Sequence, residues 1–175
     1  MRSFEGDVHG EGLRIAVVAS RFNDEIVEGL LQGALTSLRS HGVDDDAVSL
    51  VRVPGAFEIP AAVMAVVRTG NVDAIISIGC LIRGDTPHFD FLAAQVTAEL
   101  SRIAVDTQIP VAFGVITCNT MEQAIARSSS GGGNKGWEAA LAAIEMATLF
   151  RALHAKNDRL QKPPVPIATL GTKKG

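Results

Sequence analysis

A threonine, a proline and a histidine follow a strongly apolar stretch, and their spacing suits phosphate chemistry. Residues 75–79 are predicted to form a buried strand, and Gly84 in the next turn lets the backbone approach a ligand. Thr86 is predicted to cap a helix, with Pro87 as its first residue and His88 as its second. Such a helix start offers free N–H groups and a positive dipole end to an anion, beside an imidazole. An ordinary strand-to-helix turn with a surface histidine fits the same residues.

The composition limits the classes of partner. The chain has 175 residues, of which 47% are hydrophobic and 20% charged, so one ordinary globular domain is predicted. A net charge of -3, with no basic run interleaved with aromatic residues, argues against nucleic acid as a partner. No secretion signal or membrane-spanning apolar run is recognised, which predicts a soluble, cytoplasmic protein without a membrane partner.

The two cysteines do not have the spacing of a metal site. Cys80 and Cys118 lie at the ends of two predicted strands, and the sequence contains no C-x-x-C pair. We therefore predict no metal, and we expect both thiols to behave as small buried hydrophobic groups.

Four apolar runs alternate with helical patterns along the chain. The predicted strands are residues 13–19, 48–53, 73–79 and 111–117. The predicted helices lie between Asn23 and His41, then at 57–68, about 87–105, 121–127 and about 135–155. This alternation predicts an α/β fold in one domain, with a four-stranded parallel sheet and helices on both faces.

Local sequence patterns predict how the first and fourth helices begin and which side of the third helix is buried. Asn23 is predicted to cap the first helix, and Asn119 with Glu122 is predicted to form a capping box on the fourth. On the third helix, Phe91 and Leu92 are predicted to lie on the apolar side.

Both ends of the chain are predicted to lie outside the main packing. Residues 1–12 are polar and contain glycine, which predicts a flexible arm or an edge strand. Residues 157–175 hold three prolines and end in Lys-Lys-Gly, which predicts a disordered or loosely attached tail. The predicted domain is therefore residues 1–156.

The exits of the four strands are expected to share one rim of the sheet. In open α/β sheets, ligands bind at the carboxyl ends of the strands. The four exits are residues 21–23, 54–58, 80–88 and 117–119. The phosphate-binding candidates around His88 therefore belong to a larger predicted site.

Four stretches, in order, resemble the lumazine synthase family. They are residues 20–23 (SRFN), 53–60 (VPGAFEIP), 79–90 (GCLIRGDTPHFD) and 133–140 (GNKGWEAA), and the likeness covers about residues 13–155. The resemblance implies a three-layer, flavodoxin-like domain. It also implies condensation of 5-amino-6-(D-ribitylamino)uracil with 3,4-dihydroxy-2-butanone 4-phosphate, which yields 6,7-dimethyl-8-ribityllumazine, phosphate and water. This is the penultimate step of riboflavin biosynthesis, and no cofactor or metal is implied.

The resemblance also implies a role for each residue at the strand exits. Phe22 would stack on the pyrimidine ring, and His88 would transfer protons. The rest of the ribitylaminouracil site would be Ala56, Phe57, Glu58, Cys80, Leu81 and Ile82, with Phe113 from a neighbouring subunit. The phosphate would be bound by Asp85, Thr86 and the neighbour's Arg127, and Asn23 and Lys135 would support the site.

Simpler roles fit several of these residues. Phe22 and Phe113 flank strongly apolar strands and could belong to the core. Arg127 could serve only as a positive charge at a helix C-terminus. Lys135 and Glu138 have the spacing of a local ion pair on a helix surface.

The resemblance implies a homo-oligomer whose sites are shared between neighbouring subunits. Family members form pentamers, and the spacing from Arg127 to Asn134 resembles members in which sixty subunits form an icosahedral shell. Two alternatives to an enzyme are a flavin- or riboflavin-binding module and a structural shell protein. The first does not need His88, and the second does not need Phe22, His88 or Arg127. The presence of all three residues favours the enzyme.

Overall fold

The computed structural model describes residues 1–130 and 133–161, with side chains described as far as residue 155. Within these ranges, four strands alternate with five helices, as predicted. The strands are β1 (Ile15–Ser20), β2 (Val48–Val53), β3 (Ala74–Ile82) and β4 (Val111–Cys118). The helices are α1 (Asp24–Ser40), α2 (Ile59–Arg68), α3 (His88–Thr107), α4 (Met121–Ser128) and α5 (Lys135–Gln161).

The strands form one parallel sheet in the order β2-β1-β3-β4. The predicted α/β fold is confirmed, and its topology fits the flavodoxin-like class. The central strands β1 and β3 are buried on both faces, which explains their unbroken apolar sequence. β3 continues three residues beyond its predicted end, because β4 pairs with it as far as Ile82 opposite Cys118.

Two apolar cores cover the two faces of the sheet. Alternate residues of β1 point to opposite sides: Ile15 and Val17 belong to one core, and Ala16 and Val18 to the other. The first core is formed with α1, α4 and α5, and the second with α2 and α3. The sheet is therefore held between two helical layers, and the site lies at its carboxyl rim.

Two predicted features of helices α4 and α3 are wrong. Thr120 caps α4, since its hydroxyl accepts a hydrogen bond from the Gln123 N–H at 3.3 Å, and the Gln123 side chain accepts one from the Asn119 N–H at 2.9 Å. The predicted pairing of Asn119 with Glu122 as a capping box is wrong by one residue. On α3, the side chain of Phe91 is 72% exposed, so its predicted apolar-side position is also wrong.

The structure of the two chain ends also differs from the predictions. The N-terminal residues contain no strand, and they contact the body of the domain through bonds from the Asp7 N–H to Thr148 Oγ1 (2.9 Å) and from the Gly10 N–H to the His41 carbonyl (2.6 Å). The edge-strand alternative is therefore wrong. Helix α5 continues to Gln161, six residues beyond its predicted end, and residues 162–175 of the predicted tail lie outside the described residues. No described helix is long and apolar enough to cross a membrane.

Candidate active site

A cavity of about 360 Å³ opens at the carboxyl ends of β1, β2 and β3. Its position is the one at which open α/β sheets bind ligands, and its volume is within the range of small-molecule sites. The structure brings most of the predicted site residues together here. The lining residues are Phe22, Asn23, Ala56, Phe57, Cys80, Leu81, Ile82, Gly84, Thr86, His88, Phe89 and Leu92.

Two phenylalanines present aromatic surface at this cavity. Phe22 is 69% exposed and Phe57 is 63% exposed, so neither is a core residue. The backbone of Phe22 is fixed to the β2 exit, because the Phe22 N–H donates to the Pro54 carbonyl at 3.1 Å. An exposed aromatic ring on a fixed backbone can stack on a flat heterocycle.

Asn23 occupies the N-cap position of α1, as predicted, but its side chain joins two strand exits instead of bonding to the helix. Its backbone is left-handed (φ 59°, ψ 48°), and its side chain makes no capping bond. The side-chain capping bond is absent because the carboxamide is used elsewhere: Nδ2 donates to the Cys80 carbonyl at 2.9 Å. Asparagine tolerates this conformation better than most residues. Asn23 thus fixes the β1 exit against the β3 exit under the cavity.

The end of β3 can offer mainly its backbone to a ligand. Cys80 is 1% exposed and belongs to one core, while Leu81 is 9% exposed and belongs to the other. Burial, together with the neighbouring Cys118, raises the pKa of Cys80 to about 12. The Cys80 thiol therefore stays protonated near neutral pH and is not a nucleophile.

Helix α3 begins one residue later than predicted. Pro87 occupies the N-cap position with φ -68° and ψ 2°, His88 is the first helical residue, and the Thr86 side chain makes no capping bond. The Pro87 carbonyl accepts the first helical bond, from the Asp90 N–H at 3.0 Å. The N–H groups of His88 and Phe89, which precede that bond, lack intrahelical acceptors. His88 and Thr86 therefore line the cavity beside a positive helix end.

Arg83 stabilises this loop, although no role was predicted for it. Its guanidinium donates to both carboxylate oxygens of Asp90 at 2.7 and 2.9 Å and to Asn119 Oδ1 at 3.0 Å, and it lies 4.3 Å from the centre of the Phe89 ring. The hydrogen bonds from Arg83 lower the pKa of Asp90. Opposite charges on either side of a glycine-containing turn were the signal that could have indicated this pair.

Two predicted acidic residues do not line the cavity. The carboxylate of Glu58 accepts a hydrogen bond from the Gly55 N–H at 2.9 Å, which stabilises the turn after β2. Asp85 is exposed in the turn before α3. Any contact of Glu58 with a ligand at this cavity is therefore made by its backbone.

Three predicted residues lie on a different surface of the chain. Phe113, Arg127 and Lys135 line a depression of about 370 Å³ beside the edge strand β4, between α4 and α5, and this depression shares no lining residue with the first cavity. We call it the β4 surface. Phe113 is 46% exposed, so it is not a core residue. One chain does not bring these three side chains to the cavity that contains His88.

The two cations of the β4 surface are held by local contacts. Arg127 Nη1 donates to the Gln123 carbonyl of its own helix at 3.0 Å, and Lys135 Nζ lies 2.7 Å from Glu138 Oε2. The predicted local ion pair is therefore present. Among the described residues, no group of three His, Cys, Asp or Glu side chains could hold a metal ion.

Comparison with known proteins identifies similar sequences along most of the chain. The family model described as 6,7-dimethyl-8-ribityllumazine synthase matches residues 12–151. A protein named 6,7-dimethyl-8-ribityllumazine synthase from Aquifex aeolicus (strain VF5) is 50% identical over 153 residues, which is 87% of this chain and 99% of the relative. A protein of the same name from Chlorobium phaeobacteroides is 49% identical over 151 residues, 86% of this chain and 97% of the relative.

Proposed function

This chain belongs to the 6,7-dimethyl-8-ribityllumazine synthase family, and we propose that it forms its active site from the strand-exit cavity and the β4 surface of a second copy. It is an enzyme, a transferase of riboflavin biosynthesis. It condenses 5-amino-6-(D-ribitylamino)uracil with 3,4-dihydroxy-2-butanone 4-phosphate and releases phosphate and water. The binding-module and shell-protein alternatives are not favoured.

The separation of the two groups of residues supports a composite site. The cavity offers an aromatic ring, strand-end backbone and His88, but among the described residues no arginine or lysine lines it. Arg127 and Lys135 lie on the β4 surface of the same chain, together with Phe113. A substrate that carries a phosphate needs both groups, so the β4 surface of a neighbouring chain would close the cavity.

The proposed binding of ribitylaminouracil uses the apolar side of the cavity. Phe22 stacks on the pyrimidine ring, and Phe113 of the neighbouring copy closes the pocket over it. The ribityl chain is bound by backbone groups of Ala56, Phe57 and Glu58, and Asn23 supports this side. Backbone groups of Cys80, Leu81 and Ile82 border the same substrate.

The proposed phosphate site lies at the start of α3. Thr86 and the backbone N–H groups of Asp85 and the first helical turn donate to the phosphate, and the guanidinium of the neighbour's Arg127 binds it from the other side. Lys135 adds positive charge nearby. Such a site favours departure of phosphate, because the negative charge of the leaving group is bound by donors that are already in place.

The proposed role of His88 is proton transfer. The 5-amino group attacks the ketone carbonyl, and the imine forms with loss of water. Phosphate is then eliminated, and the enol that remains tautomerises to a ketone. The ribitylamino nitrogen attacks this carbonyl and closes the second ring with loss of a second water. Each step moves a proton near neutral pH, for which an imidazole at the cavity wall is suited. Because both substrates are already reactive, holding them together accounts for much of the acceleration.

We expect His88→Ala to slow lumazine formation by roughly 100-fold or less without abolishing it, since one general acid–base group is lost while positioning remains. Steady-state absorbance assays with both substrates saturating would measure this. His154→Ala, at an exposed position on α5, is the matched control. An unchanged rate, or complete loss in a folded protein, would contradict the proposed role.

The activity itself is tested by mixing the purified protein with both substrates and following the lumazine by absorbance. We expect the protein to form lumazine well above the rate of the spontaneous reaction. A folded protein that gives no acceleration would exclude the proposed function.

The assembly and location of the enzyme remain predictions from the sequence. We expect at least a pentamer, and the Arg127–Asn134 spacing favours a sixty-subunit shell. Size measurement in solution distinguishes a shell from a small oligomer. The cytoplasmic location and the domain limits of 1–156 are likewise predictions.

A further inference from the structure

One buried carboxamide connects three helices next to the β4 surface. Asn134 is 7% exposed. Its Nδ2 donates to the Ser128 carbonyl at the end of α4 (2.7 Å) and to the Gly29 carbonyl in α1 (3.0 Å). Its Oδ1 accepts from the Gly136 N–H (2.9 Å) and the Trp137 N–H (3.1 Å) in the first turn of α5.

Only a carboxamide satisfies this set of contacts. A carboxylate could accept from the α5 N–H groups but could not donate to the two carbonyls. A hydroxyl is too short to bond both sides at these positions. Small residues on α1 also make room for it, because a Cβ atom added to Gly33 would collide with the Asn134 side chain. The surrounding helices therefore require both the donor and the acceptor of the Asn134 side chain.

These bonds fix the backbone beside two cations of the proposed phosphate site. Ser128 follows Arg127 directly, and Lys135 follows Asn134 directly. The two cations come from different helices, α4 and α5, so their separation depends on how these helix ends are joined. Asn134 joins them through a single side chain.

We infer that Asn134 is a positioning residue, which holds Arg127 and Lys135 at the separation that a substrate phosphate requires. This inference rests on the proposed function. Asn134 does not contact the substrate; it acts through the two cations. A role limited to folding would affect both substrates alike, whereas a positioning role affects the phosphate substrate selectively.

The test variant is Asn134→Asp. It keeps the acceptor for the α5 N–H groups and loses the donor to α4 and α1, so the helix cap remains while the connection to Ser128 is broken. If the aspartate variant fails to fold, Asn134→Ser, which adds no charge, replaces it as the test variant. Asn71→Asp makes the same chemical change at the opposite end of the sheet and is the matched control.

We expect Asn134→Asp to lower kcat/KM for the butanone phosphate about tenfold, as one misplaced charge-assisted contact would. The KM for ribitylaminouracil should change less than about twofold. In an Arg127→Ala background the Asn134 effect should largely disappear, because residues that act through one another are not additive. Asn71→Asp should change neither constant.

Two results would overturn the inference. One is an equal loss for both substrates, and the other is an Asn134 effect of the same size with and without Arg127. Failure of the proposed function has a different signature, since the unsubstituted protein itself would then not accelerate lumazine formation.

Discussion

Replacing Arg127 by alanine should lower kcat/KM for the butanone phosphate by roughly 100-fold, the largest catalytic effect that we expect from one substitution. A guanidinium binds phosphate through two parallel charge-assisted hydrogen bonds, and each is worth about tenfold in affinity. Binding of ribitylaminouracil should be almost unaffected, because the cavity that contains Phe22 does not include Arg127. Steady-state kinetics with each substrate varied in turn would separate the two effects.

Arg39→Ala is the control for this measurement. Arg39 lies at the end of α1 and pairs with Asp45 at 2.7 Å, so it is another arginine in the last turn of a helix. Its loss should leave both KM values unchanged. If Arg127→Ala also leaves them unchanged, Arg127 is only a charge at the end of α4, and the proposed phosphate site is wrong.

Replacing Gly136 by alanine should destabilise the protein strongly, although alanine normally favours a helix over glycine by about 1 kcal/mol. Gly136 is buried where α5 crosses α1, and a Cβ atom there would overlap the Leu30 carbonyl. Backbone of a packed helix cannot move aside as a flexible side chain can. We expect a loss of about 3 kcal/mol and a thermal midpoint lowered by about 10 °C, measured by circular dichroism.

Gly84→Ala is the matched control for stability. An added Cβ at Gly84 meets nothing within 4 Å, and this glycine does not have a positive φ. Its unfolding midpoint should therefore stay within about 2 °C of the unsubstituted protein. A Gly136→Ala variant that is as stable as the unsubstituted protein would contradict the prediction, and would show that α1 and α5 can separate at this crossing.

The sheet could be predicted from the sequence because its pattern is local. The apolar runs of β1 and β3 reflect burial on both faces, and β2 begins and ends where the pattern places it. The gathering of His88, Thr86 and Phe22 in one cavity follows from parallel strands, whose carboxyl ends meet at one rim.

The helix ends were less predictable, because several polar residues compete for the same backbone groups. Thr86 and Asn23 are both good capping residues, yet neither side chain makes a capping hydrogen bond. Asn23 instead bonds to the Cys80 carbonyl, 57 residues away, and no local pattern contains that partner. A tertiary contact therefore decided the orientation of the Asn23 side chain.

The contacts of Arg83 and Asn134 were also not predictable from the sequence. Each side chain bonds to more than one element, and only the folded chain reveals which donors and acceptors meet. The separation of Arg127 from the cavity was expected only through the family resemblance, which implies that Arg127 comes from a neighbouring subunit; no local pattern in the chain indicates it.

The composite site is tested most directly by mixing two defective chains. One chain carries Phe22→Ala and His88→Ala, and its own β4 surface is intact. The other carries Arg127→Ala, and its own cavity is intact. The two are unfolded, mixed in equal amounts and reassembled, and lumazine formation is measured against each chain reassembled alone.

Sites that join the intact cavity of one chain to the intact β4 surface of the other should form by random assortment. We expect recovery of about one quarter of the unsubstituted activity, because half of the cavities are intact and half of their neighbours carry Arg127. A mixture no more active than the average of its two components would contradict it, and would mean that each chain completes its own site.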